Sequence, residues 1–231
     1  MSRLPWVMTQ EWHDVYFLHW PISPEDIQQY VPKELEIDTF EDQAWIGLIF
    51  FTMKNLRTRL MPPIPRINTF LELNVRTYVK HKGKSGVYFF SLDVNNKIVA
   101  QLGGFSGFLP FRFANMTSKA DYHVVTFQNR REYTEKYPEV FIASVEVSSE
   151  PIQRTSLEYW LTERHHLWTK VMGKLIRQYN EHSPWILQRA HCTVHENSMV
   201  PLIIRNVKED EPIAHFSKYK KAFLYLPVKE S

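Results

Sequence analysis

Glu72, Asn74 and Arg76 alternate with Leu71, Leu73 and Val75 in a stretch from Phe70 to Val79. On a β-strand, residues i, i+2 and i+4 share a face, with same-face neighbours roughly 7 Å apart. The spacing therefore places a carboxylate, an amide and a guanidinium along one wall, with Phe70 and Tyr78 at its ends. A carboxyl group buried in such a wall can serve as a general acid or base, and a guanidinium can grip an anion through its planar fork. The commoner meaning of this pattern is a solvated strand face, and the two aromatics on it argue against full exposure. Leu71, Leu73, Val75 and Val79, with Thr77, form the opposite face and read as core.

Other constellations carry weaker chemistry. His191-Cys192-Thr193-Val194-His195 suggests a metal at first sight, but on a strand its histidines stand two pleats apart. A zinc site needs three or four ligands and no partner cluster follows, so no metal is expected. Cys192 lacks the signature of an activated nucleophile and reads as a buried structural thiol. His165-His166 is placed near a helix end, where a cationic side chain favours the dipole. Gly103-Gly104-Phe105-Ser106-Gly107 lacks the Lys-Ser/Thr of a phosphate loop, and its glycines mark a bulge or a close backbone approach. No nucleophile elbow or dinucleotide fingerprint is present, and no cofactor is expected.

The elements that must position these residues follow from local signals. Ser23-Pro24-Glu25-Asp26 predicts a short helix that runs to about Tyr30, with Ser23 and Asp26 as a capping box. Trp45 to Met53 predicts a buried strand, and Pro62, Pro63 and Pro65 make 57–67 a loop or edge crossing. Residues 70 to 94 predict a hairpin through the turn Lys82-Gly83-Lys84-Ser85-Gly86. Asn95-Asn96 reads as a turn after which Lys97 to Leu102 continues the meander. Further strands are expected at 122–128, 139–148, 174–180, 186–195 and 222–228. A helix capped by Thr155 or Ser156, with Glu158 nearby, is expected to reach Trp168.

Composition bounds the class. Of 231 residues, 44% are apolar and 14% aromatic, enough for a large core and for pocket walls. The net charge of +3 is interspersed, without the continuous basic face of a nucleic-acid binder. One cysteine excludes an intrachain disulfide, the first fifteen residues lack a signal-peptide core, and the longest apolar run, Ala44 to Phe51, is too short for a membrane helix. A soluble cytoplasmic protein with no nucleic-acid or membrane partner is expected, as one domain over 1–231. A homo-oligomer is left open.

Val31-Pro32-Lys33-Glu34-Leu35-Glu36-Ile37-Asp38 and Phe70-Leu71-Glu72 resemble segments of acetoacetate decarboxylases. A closer resemblance is to the YqjF-like family, a domain of unknown function in the same superfamily. It is carried by His19-Trp20-Pro21, Phe70 to Tyr78, Gly86 to Asp93, Leu109-Pro110-Phe111, Ser156-Leu157-Glu158, Leu161-Thr162-Glu163-Arg164 and His182-x-Pro184-Trp185. The resemblance implies a mostly β, α+β fold: an antiparallel barrel that encloses a pocket, with a few outer helices. It also implies that Glu72 faces that pocket. Where the decarboxylases carry their Schiff-base lysine and its neighbour, this sequence aligns Phe111 and Arg112. Phenylalanine forms no imine and arginine stays protonated. The resemblance thus supplies a pocket without the decarboxylase mechanism.

Three functions compete. The first is a binder of a small organic acid or carbonyl compound, with Asn74, Arg76, Tyr78, Tyr88, Phe111 and Arg112 contacting the ligand. The second is a non-covalent lyase- or hydratase-type enzyme with Glu72 as the catalytic acid or base. The third is a protein–protein module whose barrel is filled by side chains. In the first two, Glu72 is expected to pair with Arg76 or Arg112.

Overall fold

Strand β3 (Ala44–Thr58) is buried at every residue from Ala44 to Phe51, so it must be covered on both faces. Two layers do this in the computed structural model, which describes residues 5–62, 65–105, 108–131, 139–199 and 211–230. The elements follow in the order β1 (Met8–Ile22), α1 (Pro24–Gln28), β2 (Glu36–Ile37), β3, β4 (Thr69–His81), β5 (Lys84–Val94), α2 (Lys97–Phe105), β6 (Phe111–Phe113) and β7 (Asn115–Asp121). They continue with β8 (Val124–Arg131), β9 (Glu139–Pro151), α3 (Ser156–Thr162), β10 (His166–Val171), β11 (Lys174–His182), β12 (Gln188–Asn197), β13 (Ile213–Leu224) and β14 (Val228–Lys229).

Strands β1, β3, β4, β5, β10, β11 and β13 close on themselves, because β11 pairs with β13 as well as with β10. This is the mostly β barrel that the family resemblance implies, with one difference: β5 and β10 are parallel, whereas the other joints of the ring are antiparallel. The parallel joint follows from the long crossover between the two strands, which returns the chain to the same end of the sheet. Gly86 permits the joint, since a Cβ there would lie 2.3 Å from the His166 carbonyl oxygen.

From β13 the sheet leaves the ring through β12, β9, β8 and β7. This second layer packs on the outer face of β1, β3 and β4, where Leu18, Phe50, Leu73, Phe127, Phe141 and Ala143 share one core. Separate apolar clusters flank the barrel interior. One holds Phe70, Val94, Val99 and Ala100, and the other holds Trp45, Tyr78, Val87 and Leu161, so α2 and α3 cover opposite ends of β4.

The hairpin of residues 70 to 94 forms as expected, with a turn narrowed to Lys82-Gly83. Thr155 and Glu158 form a reciprocal capping box. That helix stops at Thr162, however, and His166 and Trp168 lie in β10, so His165-His166 does not end a helix. Trp168 is fully buried there, and packing outweighs the helical spacing. Ser23 does sit at the N-cap of α1, but its hydroxyl donates to Glu25 and the box with Asp26 is not made.

Residues 97–102 are helical where the sequence predicted strand. Asn96 accepts from the amides of Ile98 and Val99, so it acts as a helix cap and not only as a turn residue. Gly103 lies in this helix against Phe111, whose ring a Cβ would meet at 2.5 Å, so it serves a close approach and not a bulge. Gly107 and Pro63 lie outside the described residues. No helix among the described residues is long and apolar enough to cross a membrane.

Candidate functional site

The barrel is not filled. A cavity of about 120 Å³ remains inside it, several times the ~10–15 Å³ one water needs. Glu72, Asn74 and Arg76 line it together from β4, so the alternation seen in the sequence does point at one wall. Phe111 lines it from β6, beside Leu92 of β5.

The other expected contacts point elsewhere. Tyr78 follows the same alternation but lies beyond the cavity, fully buried with its ring 4.7 Å from that of Trp160 of α3. The covered barrel end takes it out of reach. Tyr88 faces away because strand parity sends Val87 and Phe89 inward; its ring meets Phe90 on the other side. A bulge opposite Val75 and Arg76 then resets the parity, so that Leu92 faces inward again. Arg112 alternates outward from Phe111, with its side chain 43% exposed and 3.9 Å from Glu139.

Glu72 also differs electrostatically from expectation. Among the described residues no cation pairs with it. Burial dominates and pushes its carboxyl up to about 8; the amide of Asn74 opposes the shift, and the charge of Asp93 adds to it. Asp93 itself is held by Arg131 at 2.6 Å and by Asn129 at 2.9 Å. Arg131 is therefore committed to Asp93, and Glu72 is left protonated at neutral pH.

Charge in the cavity comes from two arginines. Among the described residues Arg76 makes no ion pair, and its buried Nε has no hydrogen-bond partner. Arg164, just beyond α3, points inward beside it. Its Nη1 donates to Asp38 and its Nε to the Trp160 carbonyl, while Nη2 is buried and unpartnered. The Arg164 plane rests on the Trp160 ring at 4.1 Å. Arg164 belongs to the segment 161–164 that carries the family resemblance, but nothing local marks it as a cavity residue. Its position depends on Asp38, 126 residues away in sequence.

The remaining walls come from β1, β10 and β11. Gln178, Asn180 and His182 alternate along β11 into the cavity. His182 is kept neutral, its pKa lowered to about 4 chiefly by burial. Trp12 and Trp185 stack at 5.9 Å and form an apolar wall beside it. No lysine lines the cavity among the described residues. His191 and His195 are exposed, and Cys192 is buried with its thiol pushed up to about 12 by burial, so it is inert.

This geometry has relatives. Residues 9–221 match the model of the DUF2071 family, described as an uncharacterized conserved protein. The chain is 38% identical over 228 residues to the Uncharacterized protein YqjF of Bacillus subtilis (strain 168), covering 97% of this chain and 93% of that protein. Among solved structures it resembles the enduracididine biosynthesis enzyme MppR complexed with pyruvate, with a TM-score of 0.67 at 12% identity over 100% of this chain and 92% of that one. It resembles an acetoacetate decarboxylase-like enzyme from Sphingomonas wittichii RW1, with a TM-score of 0.67 at 11% identity, over 99% and 94% of the two chains. It also resembles acetoacetate decarboxylase from Legionella pneumophila, with a TM-score of 0.65 at 12% identity, over 100% and 88%. The likenesses to solved structures show an acetoacetate decarboxylase-like fold.

Proposed function

The chain belongs to the DUF2071 family of uncharacterized conserved proteins, and from that premise we propose that it acts as one domain whose barrel binds a small organic acid bearing a carbonyl group, without Schiff-base chemistry. The observation that carries this reading is the pair of inward guanidinium groups, each with a buried nitrogen left unpartnered. A buried donor without a partner costs roughly 1–3 kcal/mol, and a ligand carboxylate would satisfy both arginines with charge-assisted bonds. Protonated Glu72 supplies a donor for a carbonyl oxygen, and the carbonyl of Asn74, whose Oδ1 is also unpartnered, supplies an acceptor. One structural neighbour was solved with pyruvate, a compact keto acid of this kind.

A thermal-shift comparison tests it. Pyruvate and acetoacetate should stabilise the protein, and Arg76→Gln should weaken that stabilisation at least about tenfold in ligand concentration, the loss of one charge-assisted bond. Equal stabilisation by uncharged ketones, or an unchanged response in Arg76→Gln, would remove the anion reading.

A second reading rests on Glu72 alone. A carboxyl that titrates near neutrality can pass a proton in either direction, which suits a non-covalent lyase or hydratase. Turnover of a bound keto acid that is lost in Glu72→Gln, with binding retained, would favour it. The third candidate, a filled interaction module, is disfavoured by the open cavity.

A further inference from the structure

We propose that Glu163, His165 and His182 form a binding site for one divalent transition-metal ion of the zinc type, set in the barrel wall beside α3. The three come from the loop after α3 and from the end of β11, and their donor atoms all lie within 4.8 Å of one another. Glu163 Oε2 and His165 Nε2 are 4.0 Å apart. Ligands at about 2.0–2.1 Å from a tetrahedral ion stand roughly 3.3 Å from each other, so small side-chain rotations close the gap.

The hydrogen bonds around the cluster leave free the atoms a metal would use. His165 Nδ1 lies 3.0 Å from the Asn180 carbonyl oxygen, and His182 Nδ1 lies 2.9 Å from that of Ser183. Both carbonyls are acceptors only, so each Nδ1 carries the proton and each Nε2 presents its lone pair. A ligating histidine is commonly oriented in this way, with its second nitrogen bonded to a backbone carbonyl.

Glu163 is held in the same sense. Its Oε1 accepts from Arg154 and from the Trp185 amide at 2.9 Å, which fixes the carboxylate and leaves Oε2 toward the histidines. Arg154 and Lys220 bring positive charge near Glu163, which moderates affinity without occupying a ligand atom. Two imidazoles and one carboxylate leave at least one coordination position for water or a ligand atom, and His182 belongs to the cavity wall as well. The expectation of no metal rested on His191 and His195, which lie on β12, outside this cluster, and are both exposed.

Untagged protein stripped with a chelator and titrated with Zn²⁺ by calorimetry, and with Co²⁺ by visible absorption, tests the site. One equivalent should bind, with Co²⁺ giving d–d bands of a four- or five-coordinate ion. His165→Gln and His182→Gln should each weaken binding by at least about tenfold, whereas His191→Gln should leave it unchanged. Should His182→Gln unfold, His165→Gln carries the test, since that ring is one-third exposed. Binding that survives His165→Gln intact, or the absence of a one-equivalent transition in the parent protein, would overturn the proposal.

Discussion

Leu73 and Asn74 are consecutive on β4 and both buried, yet they face two different interiors. Leu73 lies between the barrel wall and the second layer, where Phe50 stacks on Phe127 at 4.2 Å and on Tyr16 at 4.8 Å. Asn74 faces a space of about 120 Å³, with its Oδ1 unpartnered. Two packed layers can settle until their side chains interdigitate. A closed ring cannot, because strand number and tilt set its width. Side chains must then fill the lumen or leave it open, and Glu72, Asn74 and Arg76 leave it open. The space between the layers is a core, and the lumen is a site.

The largest test of this contrast lies in the core. Phe50→Ala should destabilise the protein by about 3–5 kcal/mol and Leu73→Ala by about 2–5 kcal/mol, read by chemical denaturation. A change near zero at either position would mean that the two layers are not closely packed.

The lumen should behave in the opposite sense. Glu72 ionises at about 8 in the folded protein, against 4.5 for the ordinary carboxyl. Folding therefore loses stability as pH rises from about 4.5 through 8, because the unfolded chain ionises first. Glu72→Gln should flatten the stability profile across that window and gain roughly 2–4 kcal/mol at pH 8, less than the full shift implies because local water relaxes the penalty. A parallel profile for both proteins would show Glu72 already charged, most simply by a cation pairing with it.

The smallest expected effect is none. Borohydride added with acetoacetate should leave the intact mass unchanged, since Phe111 lines the cavity and no lysine does among the described residues. A stoichiometric adduct on a single lysine would place an amine in the lumen and break the distinction between this site and a Schiff-base pocket.

Local patterns carried a large part of this molecule. The alternation from Phe70 to Val79 marks a strand with a polar wall and an apolar one, and the Thr155–Glu158 box marks where α3 begins. Both depend on residues within a few positions of each other, so the sequence alone determined them. It also determined that position 111 carries no amine. Tertiary structure decided what lay further apart. Ile98 and Val99 favour strand; the Asn96 cap that starts their helix is itself local, and the packing of Val99 and Ala100 against Phe70 and Val94 is the tertiary part of that outcome. The bulge on β5 brings Leu92 into the lumen, while Tyr88 faces out. Arg164 turns inward beside Arg76, bridging to Asp38 across 126 residues, and Glu72 meets no cation among the described residues. The inward Arg164 and the neutral Glu72 depend on closing the ring, because closure brings distant strands together and removes the water that would otherwise keep a carboxyl charged.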